Sequence, residues 1–244
     1  MSDKLEVWQR APVVQQFLDI RAGIPLAQEQ ISMMLAILEA HGDPVRYFLD
    51  LGCGDGILGA AILGKYPHSR GVLADFSEPM LAQARENLKA FGNQLEFLNV
   101  DYADHSWPSR VKHNGPFDAV VSGYSIHHQP DGRKLEIYAE IFDLLQPGGW
   151  FVNVEHILPA AELVTTMFEN HIIEHRVAEE ISKGGSQTRE QIAAAFHSRQ
   201  DKDLNKLTPV ERQCEWLREL GYEDVDCYMR IYSLAVFAGR RPLP

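Results

Sequence analysis

From residue 45 onward the chain repeats one pattern. A continuous apolar run is broken at Gly or Asp, and a segment follows in which apolar residues recur roughly every three to four positions. The runs read as buried strands. The recurring segments read as helices that show the core one stripe. Strands are predicted over 45–50, 71–75, 95–100, 117–122 and 150–155, with helices over 57–64, 77–91 and 131–144. Gly92 is the expected C-terminal cap of the second of these helices, and Pro147-Gly148-Gly149 the expected turn ahead of the fifth strand. Ahead of the alternation, Leu5, Trp8, Val13, Val14, Phe17 and Leu18 form a loose amphipathic pattern interrupted by Pro12. Ile31, Met34, Leu35 and Leu38 share one face of a helix over 26–38.

From Pro159 the pattern is helical with no strand until Val225. Val164, Phe168, His171 and His175 make one stripe. Thr188 with Gln191, and Thr208 with Glu211 behind Pro209, have capping-box spacing. Gly184-Gly185-Ser186 reads as a hinge and Gly221 ends the last helix. Val225 to Ile231 and Ser233 to Ala238 are two strands with almost nothing between them, which forces an antiparallel pair. The expected fold is α/β: a Rossmann-like doubly wound sheet of seven strands with an antiparallel C-terminal hairpin and a helical lid. Its expected divisions are N-terminal covering helices over 1–44, a ligand-binding core over 45–158, an inserted helical lid over 159–205, and the last helix and hairpin over 206–244.

The stretch Phe48 to Gly59 passes from apolar run through a glycine loop into helix. A backbone that must approach a ligand at such a turn needs glycine, which takes positive φ without a Cβ clash. Gly54-Asp55-Gly56-Ile57-Leu58-Gly59 also satisfies the dinucleotide fingerprint. Charge separates the readings, because Asp50 and Asp55 would stand where a dinucleotide puts its pyrophosphate. Like charges about 5 Å apart repel by roughly 3 kcal/mol at an effective dielectric near 20. A cofactor bearing an ammonium and a sulfonium, such as S-adenosylmethionine, turns that repulsion into attraction.

Asp50-Leu51-Gly52-Cys53-Gly54-Asp55-Gly56 resembles the first motif of class I S-adenosylmethionine-dependent methyltransferases. Asp75, ending the second strand, is placed to accept from both ribose hydroxyls; the alternative is a helix N-terminal acid beside the N-cap Ser77. Asp75-Phe76-Ser77-Glu78-Pro79-Met80-Leu81 resembles the second motif. That resemblance implies that Phe76 and Met80 sandwich an adenine, although a Met at that spacing also suits plain core. Asp101 and Tyr102, ending the third strand, are candidates for the adenine amino group and ring nitrogen. Ser122 and Gly123 continue the cofactor edge. Gly123-Tyr124-Ser125-Ile126-His127-His128 resembles the fourth motif in its small-molecule form and lacks the Asn/Asp-Pro-Pro-aromatic pattern of amine methylation on bases.

Acid–base candidates at the same sheet edge are His127, His128, Glu155 and His156, with His127 favoured by position. His127 can equally line the cofactor. Tyr124, His127, His171 and His175 are the candidate substrate contacts. His171 and His175, four residues apart, lack a third ligand of evident spacing, so no metal is expected.

A net charge of −11 argues against unspecific nucleic-acid binding. Cys53, Cys214 and Cys227 form neither a disulfide framework nor a zinc pattern. No apolar stretch reaches membrane-spanning length, and Met1 to Arg10 lacks signal-peptide order. A cytoplasmic protein without membrane or nucleic-acid partners is expected, its oligomeric state open and a homodimer included. The resemblance implies methyl transfer by in-line displacement to a small molecule. One alternative is a tRNA wobble-uridine pathway enzyme. For it, Arg21 to Pro25 and Cys214 to Arg240 faintly resemble carboxy-S-adenosylmethionine synthase, with Arg21 and Arg199 the candidates to hold a carboxylated cofactor. Another is a non-catalytic module that keeps the cofactor pocket as a sensor.

Overall fold

The computed structural model describes residues 8–10, 13–15, 18, 23–40, 42–199 and 202–244. Leu5, Pro12, Phe17 and Arg21 lie outside these, so the expected helix over 4–20 falls largely beyond the description. Seven strands form one sheet: β1 (Tyr47–Leu51), β2 (Arg70–Asp75), β3 (Leu95–Asn99), β4 (Phe117–Gly123), β5 (Leu145–His156), β6 (Glu223–Ile231) and β7 (Leu234–Arg240). Their order is β3-β2-β1-β4-β5-β7-β6. The first five run parallel, and β7 lies antiparallel between β5 and β6. Chain order reverses between β1 and β4, where a doubly wound sheet opens a crevice at its carboxyl edge.

The helices are α1 (Ala27–Glu39), α2 (Ile57–Lys65), α3 (Glu78–Asn87), α4 (Trp107–Val111), α5 (Asp131–Leu144), α6 (Glu162–Ser182), α7 (Arg189–His197) and α8 (Val210–Glu219). Two apolar layers hold them to the sheet. Met34, Ile62 and Leu81 of α1, α2 and α3 pack one face, and Ile137, Tyr138 and Leu217 of α5 and α8 pack the other. This explains why the central strands read as unbroken apolar runs: both faces are covered. α6 and α7 pack on each other through their own small core of Ile172, Ile173, Ile192 and Phe196.

Three local expectations change. The helix from Ser77 ends at Asn87, not Phe91. Leu88 leaves helical geometry to bury itself against Gly56, and Gly92 (φ +52°) sits inside the 3-10 turns that follow. Pro147-Gly148-Gly149 is a bulge within β5 and not a turn before it. The register with β4 jumps from Phe117–Leu145 to Ala119–Trp150, while Gly148 N donates to Arg241 O at 2.8 Å. The Thr188–Gln191 capping box forms, but Thr208 does not cap α8. Its hydroxyl accepts from Lys134 Nζ at 2.6 Å and donates to Asp131 Oδ1 at 2.5 Å. Among the described residues no helix is long and apolar enough to cross a membrane.

Candidate active site at the carboxyl edge of the sheet

The loop after β1 is drawn toward β2 by Gly52 N and Cys53 N, which both donate to Ala74 O. Gly52, Gly54 and Gly56 all have positive φ. Asp75 fixes the loop from the next strand, its carboxylate accepting from Gly54 N at 2.9 Å and from Ser77 N at 2.8 Å. Ser77 also caps α3 through Met80 N. Burial pushes the Asp75 carboxyl up to about 6 against these backbone donors. Asp50 is buried deeper. One oxygen accepts from Gly59 N at 3.0 Å and the other has no hydrogen-bond partner among the described residues. Burial, reinforced by the charges of Asp75 and Asp55, raises Asp50 to about 7 against the Gly59 donor. Three carboxylates around a glycine loop, one with an orphaned oxygen, suit a cationic ligand.

Three adjoining cavities open along this edge. The first, about 60 Å³, is lined by Gly52, Gly54, Asp75, Phe76, Met80, Asp101, Tyr102 and Gly123. The second, about 340 Å³, lies on the other side of the loop and is lined by Asp50, Cys53, Asp55 and Leu58, with Gln30 of α1. The third, about 80 Å³, is walled by His127, His128, His156, Phe168, Phe196, Arg199 and Asn205. Tyr124 lines all three. It is held there in a left-handed conformation (φ +50°), its hydroxyl donating to Gln30 Oε1 and its N–H to Val154 O.

The histidine wall is built from two strand ends. His127 and His128 occupy a short 3-10 turn after β4, while Glu155 and His156 end β5. Glu155 lies behind the wall, almost fully buried, and its oxygens accept from His127 Nδ1 at 2.6 Å, His127 N at 3.0 Å and His156 N at 2.8 Å. A carboxylate partner assigns the proton to Nδ1, leaving Nε2 unprotonated beside Asn205. Burial, with the charge of Lys134, lowers His127 to about 3, and burial likewise lowers His128 and takes His156 to about 3. Burial raises Glu155. The imidazoles are therefore neutral across the physiological range.

Several sequence candidates lie elsewhere. Ser122 is fully buried and lines none of these cavities, its hydroxyl donating to Leu51 O at 2.7 Å to tie β4 to β1. His171 and His175 are not among the described residues that line the histidine cavity. His171 meets the Tyr232 ring at 5.8 Å and His175 backs onto Gly23. No metal-ligand cluster occurs among the described residues. Sequence reasoning missed Trp8 as a wall of both the first and third cavities, with its ring 5.6 Å from His128 and its carbonyl held by Ser77 Oγ at 2.6 Å. It also missed Gln30 and Asn205. Only Phe168 carried a signal, its place in the stripe with His171.

Residues 48–149 match a family model described as a methyltransferase domain. The chain is 35% identical over 110 residues to a demethylmenaquinone methyltransferase of Thermus thermophilus, taking in 45% of this chain and 47% of that protein. It is 27% identical over 188 residues to a ubiquinone biosynthesis O-methyltransferase of Thiobacillus denitrificans, 68% of this chain and 78% of that one. A carboxy-S-adenosyl-L-methionine synthase of Nautilia profundicola aligns at 20% identity over 222 residues, 89% of this chain and 87% of that one. Human N-acetylserotonin methyltransferase in complex with SAM superposes with a TM-score of 0.63 over 99% of this chain and 59% of that one, at 13% identity, a likeness of fold. The chain spans about half the length of the first relative and about three fifths of the solved structure.

Proposed function

The chain carries a class I S-adenosylmethionine-dependent methyltransferase domain, and on that premise we propose that it methylates a hydroxyl of a small aromatic acceptor seated in the histidine cavity. One observation carries this reading. A neutral imidazole, oriented by a buried carboxylate 2.6 Å away, stands in a wall that shares Tyr124 and His128 with the glycine-loop cavity.

The residues present fit the cofactor. Among the described residues a Cβ on Gly54 would meet nothing nearer than Met80 Sδ at 4.0 Å, and Asp50, with its orphaned oxygen, stands on β1 just ahead of the same loop. Asp75 would hold the ribose hydroxyls, Phe76 and Met80 the adenine, and Asp50 with the loop backbone the methionine end. When bound, S-adenosylmethionine supplies an electrophilic methyl on sulfur. The protein aligns the acceptor oxygen with it, and alignment alone supplies several kcal/mol, up to about 7–11 in well-oriented intramolecular cases. His127 Nε2 takes the acceptor proton, and Glu155 stabilises the imidazolium that forms. Trp8, Tyr124 and the α6–α7 pair, read as a lid over 159–205, exclude water.

The tRNA-pathway alternative is not favoured, since the two relatives of higher identity are named for demethylmenaquinone and ubiquinone biosynthesis. We also read the protein as cytoplasmic, in keeping with three free cysteines. The test is incubation with methyl-tritiated S-adenosylmethionine and, separately, a panel of catechols and hydroxyquinones, bulk tRNA, and protein extract. Label should enter the phenolic fraction. Label confined to tRNA would overturn the reading.

A further inference from the structure

One charged cluster outside the histidine wall reaches the first cavity through the backbone. Arg133 of α5, its side chain 7% exposed, donates to Tyr102 O from Nε at 3.0 Å and from Nη2 at 2.7 Å. The guanidinium also meets Glu140, Nη1 to Oε1 and Nη2 to Oε2 at 2.8 Å each, and Trp107 Nε1 of α4 holds Glu140 in turn at 2.5 Å. A planar fork braced in this way fixes direction as well as distance. Such a pair is a weak source of stability once its desolvation is counted. What it does orient is the Tyr102–Ala103 peptide.

That peptide is trans, so its carbonyl and its N–H point opposite ways. Arg133 holds the carbonyl, and the N–H of Ala103 donates to Asp101 Oδ1 at 2.8 Å. Asp101 is exposed and lines the first cavity, and this bond restrains its carboxylate while Oδ2 accepts from none of the described residues. Two guanidinium donors on one carbonyl polarise the peptide and strengthen its N–H as a donor. Tyr102 is anchored again at its far end, where its hydroxyl is bonded to Ser125 Oγ at 2.6 Å. Resting on the seat read above for the adenine, we propose that Arg133 is a positioning residue for its recognition. Through the Tyr102–Ala103 peptide it presets the Asp101 carboxylate to accept from the exocyclic amine, and so sets the preference for an adenosyl over a 6-oxopurine compound. Arg133 is not among the residues lining the cavity, so it acts through that peptide.

The probes are S-adenosylhomocysteine and S-inosylhomocysteine, in which a 6-oxo group replaces the amine, each titrated calorimetrically into the protein. The wild type should bind the adenosyl compound at least about tenfold more tightly, and Asp101→Asn should erase or reverse that preference. Arg133→Gln should lower it at least about fivefold, by weakening the adenosyl compound while the inosyl compound binds within about twofold of the wild type. Arg133→Lys, which keeps the charge without the planar fork, should fall between. If Arg133→Gln does not fold, Arg133→Lys and Glu140→Gln, which loosens the brace and leaves the arginine in place, decide on the same ratio. An undiminished preference in these variants, or equal losses for the two compounds, as a general weakening of the fold would give, would overturn the role of Arg133. Equal affinities in the wild type, or a preference untouched by Asp101→Asn, would refute the adenine seat and the proposal with it.

Discussion

Gly52 and Gly54 share a left-handed backbone, but an added methyl group would meet different surroundings at the two positions. At Gly52 it would lie 1.9 Å from Ser125 Oγ, itself held by Tyr102 OH at 2.6 Å, so Gly52→Ala must break packing. The cost is about 1–3 kcal/mol of overpacking plus about 1–2 kcal/mol of backbone strain, visible as a lower melting temperature. Gly54→Ala incurs only the strain, since its nearest neighbour among the described residues is Met80 Sδ at 4.0 Å, but its methyl enters the space proposed for the cofactor. Its S-adenosylhomocysteine affinity should fall at least about tenfold, roughly 1.4 kcal/mol. Thermal unfolding paired with calorimetry checks both, and wild-type affinity in Gly54→Ala would contradict the cradle. These glycines and Asp75 were legible because a strand, a tight turn and a helix follow one another in the sequence. Tyr124 was legible only as a site residue. Its left-handed φ and its bond to Gln30 come from α1 packing across the sheet, which no local pattern encodes.

At the scale of elements, the return of the chain from the α6–α7 pair is strapped to the histidine turn. Lys206 N donates to His127 O at 2.9 Å and Lys206 Nζ to His128 O at 3.1 Å. Lys134, buried on α5, donates to Lys206 O, Thr208 Oγ1 and Asp131 Oδ1. Lys134→Met removes a charged donor from the buried Thr208 hydroxyl and from two acceptors on the exposed residues Asp131 and Lys206, and should cost about 1–3 kcal/mol. Amide exchange measured by mass spectrometry should quicken over 204–208 while 50–59 keeps its protection. Unchanged exchange over 204–208 would refute the strap. The sequence spacing at Thr208 pointed to a helix cap. Tertiary competition overrode it, because a buried ammonium 2.6 Å away is a stronger partner for the hydroxyl than a helix N–H that water can satisfy. The same kind of long-range pairing hid the early start of β5, whose glycine bulge bonds to the segment after β7.

At the scale of the molecule, buried acid near the loop couples pH to stability. Asp50 holds its proton to about pH 7 when folded, against 3.8 as a free side chain. The native state therefore binds the extra proton across that interval. The associated stability is complete below pH 3.8 and is lost as the pH rises to about 7. The loss is of order 4 kcal/mol at most. Asp50→Asn keeps an acceptor for Gly59 N and removes the titration. Without cofactor, its melting temperature should exceed that of the wild type by a margin that widens from pH 5 to pH 8, while its affinity for S-adenosylmethionine falls. A constant margin would show that Asp50 is not the titrating group. The alternation of elements, the closing hairpin and the acidic strand ends made this architecture readable from sequence. The histidines that line the cavity, His127, His128 and His156, were readable from their strand ends, but the lid's share of the wall was not, because Phe168 of α6 and Arg199 just beyond α7 line it while His171 and His175 do not.

The most direct test of a cofactor cradle coupled to a buried imidazole base is the single-turnover rate of methyl transfer to a hydroxylated acceptor at saturating S-adenosylmethionine, in the wild type and in His127→Asn. The rate should fall by about 10²–10⁴-fold, in line with the loss of a positioned general base, while S-adenosylhomocysteine affinity stays unchanged. A rate within about threefold of the wild type, far below any general-base contribution, would contradict the assignment of His127.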